Sequence, residues 1–385
     1  MKKTLTVLTA ILFLGCGGGG GGGSEELKTA SATYVDSPVS GVEYECGSVK
    51  GVTNEVGGFI YEVGKDCKFK VGDIAFKTIK SYELENGKII LENSSVVASL
   101  LQTLDIDGDP ANGITITEEI REKLKGYKVT ALDDETIQSV YEKVKDANGY
   151  DGKYFSKTEA LMNLIASQTQ LFKSLVASKT LYAVSSDEEG VEELKVEVDP
   201  ESSSITYESG YSLGMNISGN LVTFENNSTA LATLYKNRIT LTYLVENMPV
   251  YSDEVFFSEA DAKDYEKRLS NGEYLKSLIA GKVFYQLFMS DGKLILNRVT
   301  INKDATAGMF SAVDGSKFGG TFSIKIDKNR LKLHIDGVDV DYSAVYLGKN
   351  DNMLILAPSK SEVNVASYMF FDESYAKNLL ESLLN

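Results

Sequence analysis

The chain has 385 residues, with 55 acidic against 39 basic side chains and a formal charge of −16. A surface this acidic repels phosphate backbones and anionic headgroups, which excludes nucleic acid as a partner class and favours cations or basic protein surfaces. The length allows two or three domains. There is no Trp, and the single histidine is His334.

The first predicted element is an address. Lys2 and Lys3 precede an apolar run, residues 4–14. It is too short for a spanning helix, which needs ~20 residues, and has the form of a secretory signal. No A-x-A site follows; "FLGC" (13–16) does. This stretch resembles the lipobox of bacterial lipoproteins, although Phe13 and Leu14 stand where Leu and a small residue are usual. The resemblance implies removal of residues 1–15 and lipidation of Cys16. With Gly17 rather than Asp next to it, the resemblance also implies an outer-membrane anchor, on the periplasmic or the cell-surface face. A soluble secreted protein is the alternative. Residues 16–32, with seven consecutive glycines, then read as a tether spanning roughly 20–25 Å as a flexible coil.

Residues 33–80 alternate apolar and polar positions in short runs punctuated by glycine, a small antiparallel β module. Cys46 and Cys67 lie within it. An even pair in an oxidising compartment predicts a disulfide that compensates for a thin core; a two-cysteine metal site is the alternative, with no His near. Residues 93–177 change to helical period. Ser94, Thr117 and Asp133 stand as caps, and Ser156 with Glu159 forms a capping box, giving four amphipathic helices. The wording "GVEY…GVTNEVGGFIY" resembles the Ig-like or prealbumin-like β modules of secreted bacterial proteins. Together with "LLQTLDIDGDPANGITIT" (100–117), it resembles the N-terminal region of large bacterial surface lipoproteins. That family brings no established activity with it.

The rest of the chain repeats. "FKSLVASKTLY" (172–182) returns as "LKSLIAGKVFY" (275–285), and "FFSEADAKDYEKRL" (256–269) returns as "FFDESYAKNLLESL" (370–383). Each unit, 178–270 and 275–385, carries six or more short strands and predicts a sandwich or a small barrel. The strand pattern and "GKVFY" faintly resemble lipocalin-like lipoprotein domains. The expected fold class is multi-domain α+β: a disulfide-linked β module, a helical module and two tandem antiparallel β-rich repeats.

The sharpest chemical constellation is "DIDGDPANG". Asp105, Asp107, Asp109 and Asn112 present oxygen ligands in the alternation that a Ca²⁺ loop uses. Pro110 stands where such a loop wants Gly, and Ile116 where it wants an acid, so Glu118 or Glu119 would have to close the shell. The competing reading is a solvated acidic turn between helices. Asp146, Asn148 and Asp151 in "DANGYDG" read as a turn, with a second oxygen site as the sharper alternative. His334 lacks a placed nucleophile, and no G-x-S-x-G elbow, phosphate loop or dinucleotide fingerprint occurs. The 21 Tyr and 16 Phe read as β core, or as an aromatic-lined barrel mouth or contact surface.

These features predict a lipid-anchored, non-enzymatic binding or adhesion-type protein of the cell envelope. Its partners would be the membrane, through the anchor, and an unknown protein or small molecule. A lipocalin-like carrier of a small apolar ligand is the alternative. No cofactor is expected beyond a structural calcium at the Asp-rich loop.

Overall fold

The computed structural model of the chain describes residues 27–176, 179–186, 191–199, 204–207, 210–290, 293–316, 318–337, 341–358 and 367–384. The signal segment, Cys16 and most of the tether lie outside the described residues. Within them the fold is α+β, as the sequence predicts.

The N-terminal strands are β1 (Thr29–Val35), β2 (Val39–Ser40), β3 (Glu43–Cys46), β4 (Val49–Val52), β5 (Gly58–Glu62), β6 (Cys67–Val71), β7 (Ile74–Ile79) and β8 (Lys88–Leu91). One sheet runs β4-β3-β6-β7, and a second begins β5-β1-β8. They face each other through rings: Tyr34 on β1 packs 5.3 Å from Phe69 on β6, and Phe59 on β5 lies 5.1 Å from Phe69 and 5.6 Å from Tyr44. The predicted disulfide is present. Cys46 and Cys67 are direct cross-strand partners on β3 and β6, both fully buried, with Cα atoms 4.1 Å apart. The chain-entropy model gives such a loop about 3 kcal/mol.

The helices follow as α1 (Ser95–Thr103), a 3-10 turn (Pro110–Asn112), β9 (Ile114–Thr115), α2 (Glu118–Lys123), α3 (Asp134–Val144) and α4 (Lys157–Val176). Ser94, Thr117 and Asp133 each accept the backbone N–H three residues on. Ser156 and Glu159 cap each other reciprocally. The β and helical segments share one core: Leu100, Leu101, Ile120, Leu124, Ile137 and Val140 pack into the same cluster as Tyr34 and Phe69. A β unit of about 50 residues buries too little surface alone, and the helices supply the missing layer.

The first repeat is a closed barrel. Its strands are β10 (Thr180–Ser186), β11 (Val191–Asp199), β12 (Ser204–Tyr207), β13 (Ser212–Ser218), β14 (Leu221–Phe224), β15 (Thr229–Tyr235), β16 (Arg238–Val245) and β17 (Met248–Phe256). Each pairs antiparallel with the next, and β17 returns to β10 through Tyr182↔Phe256. α4 plugs one end, with Phe172 and Val176 clustered against Leu181, Ile217, Val222 and Leu234. Helix α5 (Glu259–Ser270) lies on β10, β11 and β17.

The second repeat copies this plan. α6 (Glu273–Ile279) leads into β18 (Val283–Ser290), β19 (Lys293–Ile301), β20 (Ala307–Ala312), β21 (Gly319–Asp327), β22 (Arg330–Ile335), β23 (Asp341–Lys349), β24 (Met353–Pro358) and β25 (Ser367–Phe370). These close into an eight-stranded barrel. α7 (Glu373–Leu384) lies on β18, β19 and β25, the strands equivalent to those under α5. Leu275 and Ile279 of α6, matching Phe172 and Val176 in the repeated sequence, join the apolar cluster of this barrel. Of the two architectures predicted for the repeats, both are barrels.

The three bodies meet through a strand seam, a charge network and a close backbone approach. β15 pairs with β14 along its first half and with β8 along its last, so the N-terminal sheet continues into the first barrel. Around that seam lies a charge network. Arg238 on β16 contacts Glu254 on β17 at 2.7 Å and Glu85 of the N-terminal body at 2.5 Å. Lys349 of the second barrel contacts the same Glu85 at 2.9 Å. Burial alone would raise the Glu85 carboxyl, but Lys349 and Arg238 override it and hold it down at about 2. Gly348 sits at φ +138°, where a Cβ would meet Ser252 Oγ of the first barrel at 1.9 Å, so only glycine lets the barrels approach this closely.

Arg238→Met leaves Glu254, whose side chain is 3% exposed, without its cation. We expect a loss of about 3–5 kcal/mol in urea denaturation, most of it recovered in Arg238→Met/Glu254→Leu, because an apolar pair replaces a buried ion pair at little net change. A double variant no more stable than the single one would show that the network acts differently.

Candidate functional site

The Asp-rich loop follows α1 directly. Asp105 Oδ1 accepts the Thr115 N–H at 2.8 Å; Asp107 accepts the Asp109 N–H at 3.0 Å and Asn112 Nδ2 at 3.0 Å. Asp109 accepts the Ala111 N–H at 3.2 Å. The four residues predicted as ligands thus come together, and three of the carboxylate oxygens bond the loop's own backbone. Glu119 does not reach the loop: it accepts the Asn148 N–H at 3.0 Å. The "DANGYDG" turn docks through the Asp151 N–H on the Ile106 carbonyl at 2.8 Å. Asp105 is fully buried, its Oδ2 has no hydrogen-bond partner, and burial pushes its carboxyl up to about 7. Among the described residues, no group of three or more His, Cys, Asp or Glu side chains is arranged to hold a metal ion.

Beside this loop, an open cleft of about 440 Å³ runs between residues 108–111 and the first half of α4. Its wall residue Asn163 leads inward. Asn163 Nδ2 donates to Gln102 Oε1 at 3.0 Å, and Gln102 Nε2 donates to both oxygens of Asp36 at 3.2 Å. Asp36 is fully buried; burial first, and then the negative Glu92 nearby, push its carboxyl up to about 8 against the pull of Gln102. His334 lies exposed on β22, outside the barrel interior.

A second, more enclosed site than this cleft lies in the lumen of the first barrel, where motif reading placed no residue. A cavity of about 80 Å³ is lined by Ala183, Met215, Val222, Ile239, Leu241 and Val255, with Phe172 and Val176 of α4 closing its floor. Ala183 is the small residue of this lining, and Ala230 and Ala232 belong to the same barrel core. At the end away from α4, Phe224 stacks on Tyr243 at 6.0 Å and Tyr243 on Tyr251 at 4.4 Å. Asp253 lines the cavity among these groups, accepting the Ser185 hydroxyl at 2.6 Å, and burial raises its carboxyl. The second barrel has bulkier filling, with Phe284, Phe310, Phe322, Ile324, Leu354 and Met369 in one cluster. A period-two reading of "YSDEVFF" puts Tyr251, Asp253 and Val255 on one strand face, the sequence signal for an inward carboxylate.

The chain matches no protein-family model and no curated protein sequence.

The Asp36 carboxyl gives a pH test. It titrates near 4 in an unfolded chain and near 8 in the fold. The folded state therefore holds the proton more tightly. The group's stabilising contribution is complete below about pH 4 and is lost as the pH rises to about 8. Asp36→Asn cannot ionise. Its melting temperature should match wild type near pH 4 and exceed it increasingly up to about pH 8, then stay above it. A constant difference across that range would place the titration elsewhere.

Proposed function

We propose that this chain is a lipid-anchored protein of the bacterial outer membrane that binds a partner rather than turning over a substrate, with the first barrel as its binding element. The observation that carries the reading is the asymmetry of the duplicated barrels. Both have a helix at one end, but the first keeps an apolar lumen under an aromatic rim while bulkier side chains pack the second. A buried disulfide suits an oxidising compartment, and the Cys16 lipobox supplies the anchor.

The lumen of about 80 Å³ is small beside the ~300–1,000 Å³ of pockets that engulf a whole ligand. It suits one side chain or one terminal group of a larger partner, which favours recognition over carriage. The closed eight-stranded barrel with a helical plug supports a carrier as the second reading. Engulfing a ligand would then require Phe172 and Val176 to withdraw.

Ala183→Leu fills the lumen with an apolar group of the lining's own kind. With 1-pentanol as probe, wild type should show saturable binding in tyrosine fluorescence, which no Trp obscures, and the variant should lose at least tenfold in affinity. Equal binding by both proteins would move the site out of the lumen.

Calcium at the Asp-rich loop belongs to the same proposal, as a structural ion using Asp105 Oδ2. Added Ca²⁺ should then raise the melting temperature of EDTA-treated protein, and Asp105→Asn should remove that rise. No rise in wild type would leave the loop a turn.

A further inference from the structure

The rim of the first barrel carries a more specific chemistry, and the inference rests on that barrel being the binding element. β17 alternates Tyr251, Asp253 and Val255 on its inward face, and Asp253 and Val255 both line the cavity. A half-buried carboxylate in a lumen of Ala, Met, Val, Leu and Ile needs a reason, since a charge shielded from water is costly unless paired. Asp253 has two neutral donors, the Ser185 hydroxyl at 2.6 Å and the Tyr243 hydroxyl. The charge acting on it is that of Glu254, of the same sign. Among the described residues lining the cavity, none is cationic. The donors orient the carboxylate, and a counter-ion is what the site lacks.

Three further features select the kind of cation. The rings of Phe224, Tyr243 and Tyr251 form a stack beside the carboxylate, and Tyr251 is 41% exposed at the rim. Their faces carry negative quadrupole density that attracts a cation and their area shelters methylenes. The cavity holds a few carbon atoms and not a polycyclic body. The whole chain, at −16, draws cations toward its surface.

We propose that the first barrel binds a primary alkylammonium group, with Asp253 as its counter-ion and the rings of the Phe224–Tyr243–Tyr251 stack beside the charge. Two sources supply that chemistry. A small free amine enters with its alkyl tail toward Phe172 and its ammonium at Asp253. A lysine side chain of a partner protein enters ammonium first, its stem along Tyr251 and Tyr243.

The test titrates the full chain, followed by tyrosine fluorescence, with n-pentylamine and its neutral counterpart 1-pentanol. In parallel it uses Nα-acetyl-lysine N-methylamide and the same compound acetylated on Nε. Pentylamine should bind at least tenfold more tightly than pentanol. Asp253→Asn should bring that ratio to about one while keeping pentanol binding. Tyr251→Leu, a rim change that leaves the carboxylate in place, should weaken pentylamine several-fold, so a poorly folding Asp253 variant does not remove the test. Preference for the free-amine lysine compound over its Nε-acetylated form assigns the site to protein lysines; binding of pentylamine alone assigns it to small amines. Equal affinity for pentylamine and pentanol, both lost in Ala183→Leu, overturns the ammonium site and keeps the barrel as an apolar binder. No saturable binding of either overturns both.

Discussion

The structure turns on Arg238. Its guanidinium bridges Glu254 of its own barrel and Glu85 of the N-terminal body, and Glu85 in turn holds Lys349 of the second barrel. One carboxylate thus receives a cation from each barrel. A second link, Lys88 with Asp351, ties the N-terminal body to the second barrel directly, and Tyr82 stacks on Phe371 close by. Buried ion pairs add little net stability compared with apolar substitutes, but an unpaired member is strongly unfavourable. A network of this kind therefore acts mainly as a constraint. Displacing any one of the three bodies strands a charge, so their relative placement is fixed more firmly than the contact area alone would fix it.

With the placement fixed, duplication becomes informative. Two copies of one plan, helix plug then eight strands then a wall helix, stand side by side, and what separates them is side-chain volume. Phe284 stands where the repeated sequence has Leu181, and Phe310 and Phe322 join its cluster, while the first barrel carries Ala183, Ala230 and Ala232 inward. A barrel of eight strands is just wide enough for side chains to fill its interior or to leave room for something small. A leucine where the other copy has Phe284, with alanines inward on β10 and β15, moves one copy toward the second case. The filled copy also presents β23, with Gly348 and Lys349, to the partner barrel and the seam. One copy is thereby released from packing duty in its lumen while the other supports it.

The local features were legible in the sequence. Helix starts came from Ser94, Thr117, Asp133 and the Ser156–Glu159 pair, because a cap acts within three residues of itself. The repeat was legible because its plug and wall helices keep their apolar spacing. What failed to show was non-local. The choice of barrel over sandwich depends on β17 finding β10, and the fusion of the N-terminal sheet with the first barrel depends on Ile89 meeting Leu234. Neither register is written in either segment alone. The Asp-rich loop was visible but ambiguous for a related reason. Alternating carboxylates serve a cation or a run of backbone N–H groups equally well by spacing, and Thr115, Asp109 and Ala111 are the donors here. Asp253 was missed because the period-two face it shares with Tyr251 and Val255 does not say which side of the strand is inside until the pairing closes the barrel.

The same pairing also orients the first barrel. β8, α4 and the Arg238 network all meet the first barrel at the end that carries Tyr235, Arg238 and Gly219. The Phe224–Tyr243–Tyr251 rim lies at the other end, beside the turns at 225–228 and 246–247. Chain direction makes this unavoidable: α4 delivers the chain into β10 at the plugged end, and the aromatic rim falls at the opposite one. Any anchor acting through the N-terminal body therefore holds the barrel by its closed end. Among the described residues, the second barrel meets that end along β17, through the Tyr368 hydroxyl on the Pro249 carbonyl at 3.0 Å and the Lys349 N–H on Ser252 Oγ at 3.1 Å, so the rim rings sit beside the contact that fixes the two barrels together.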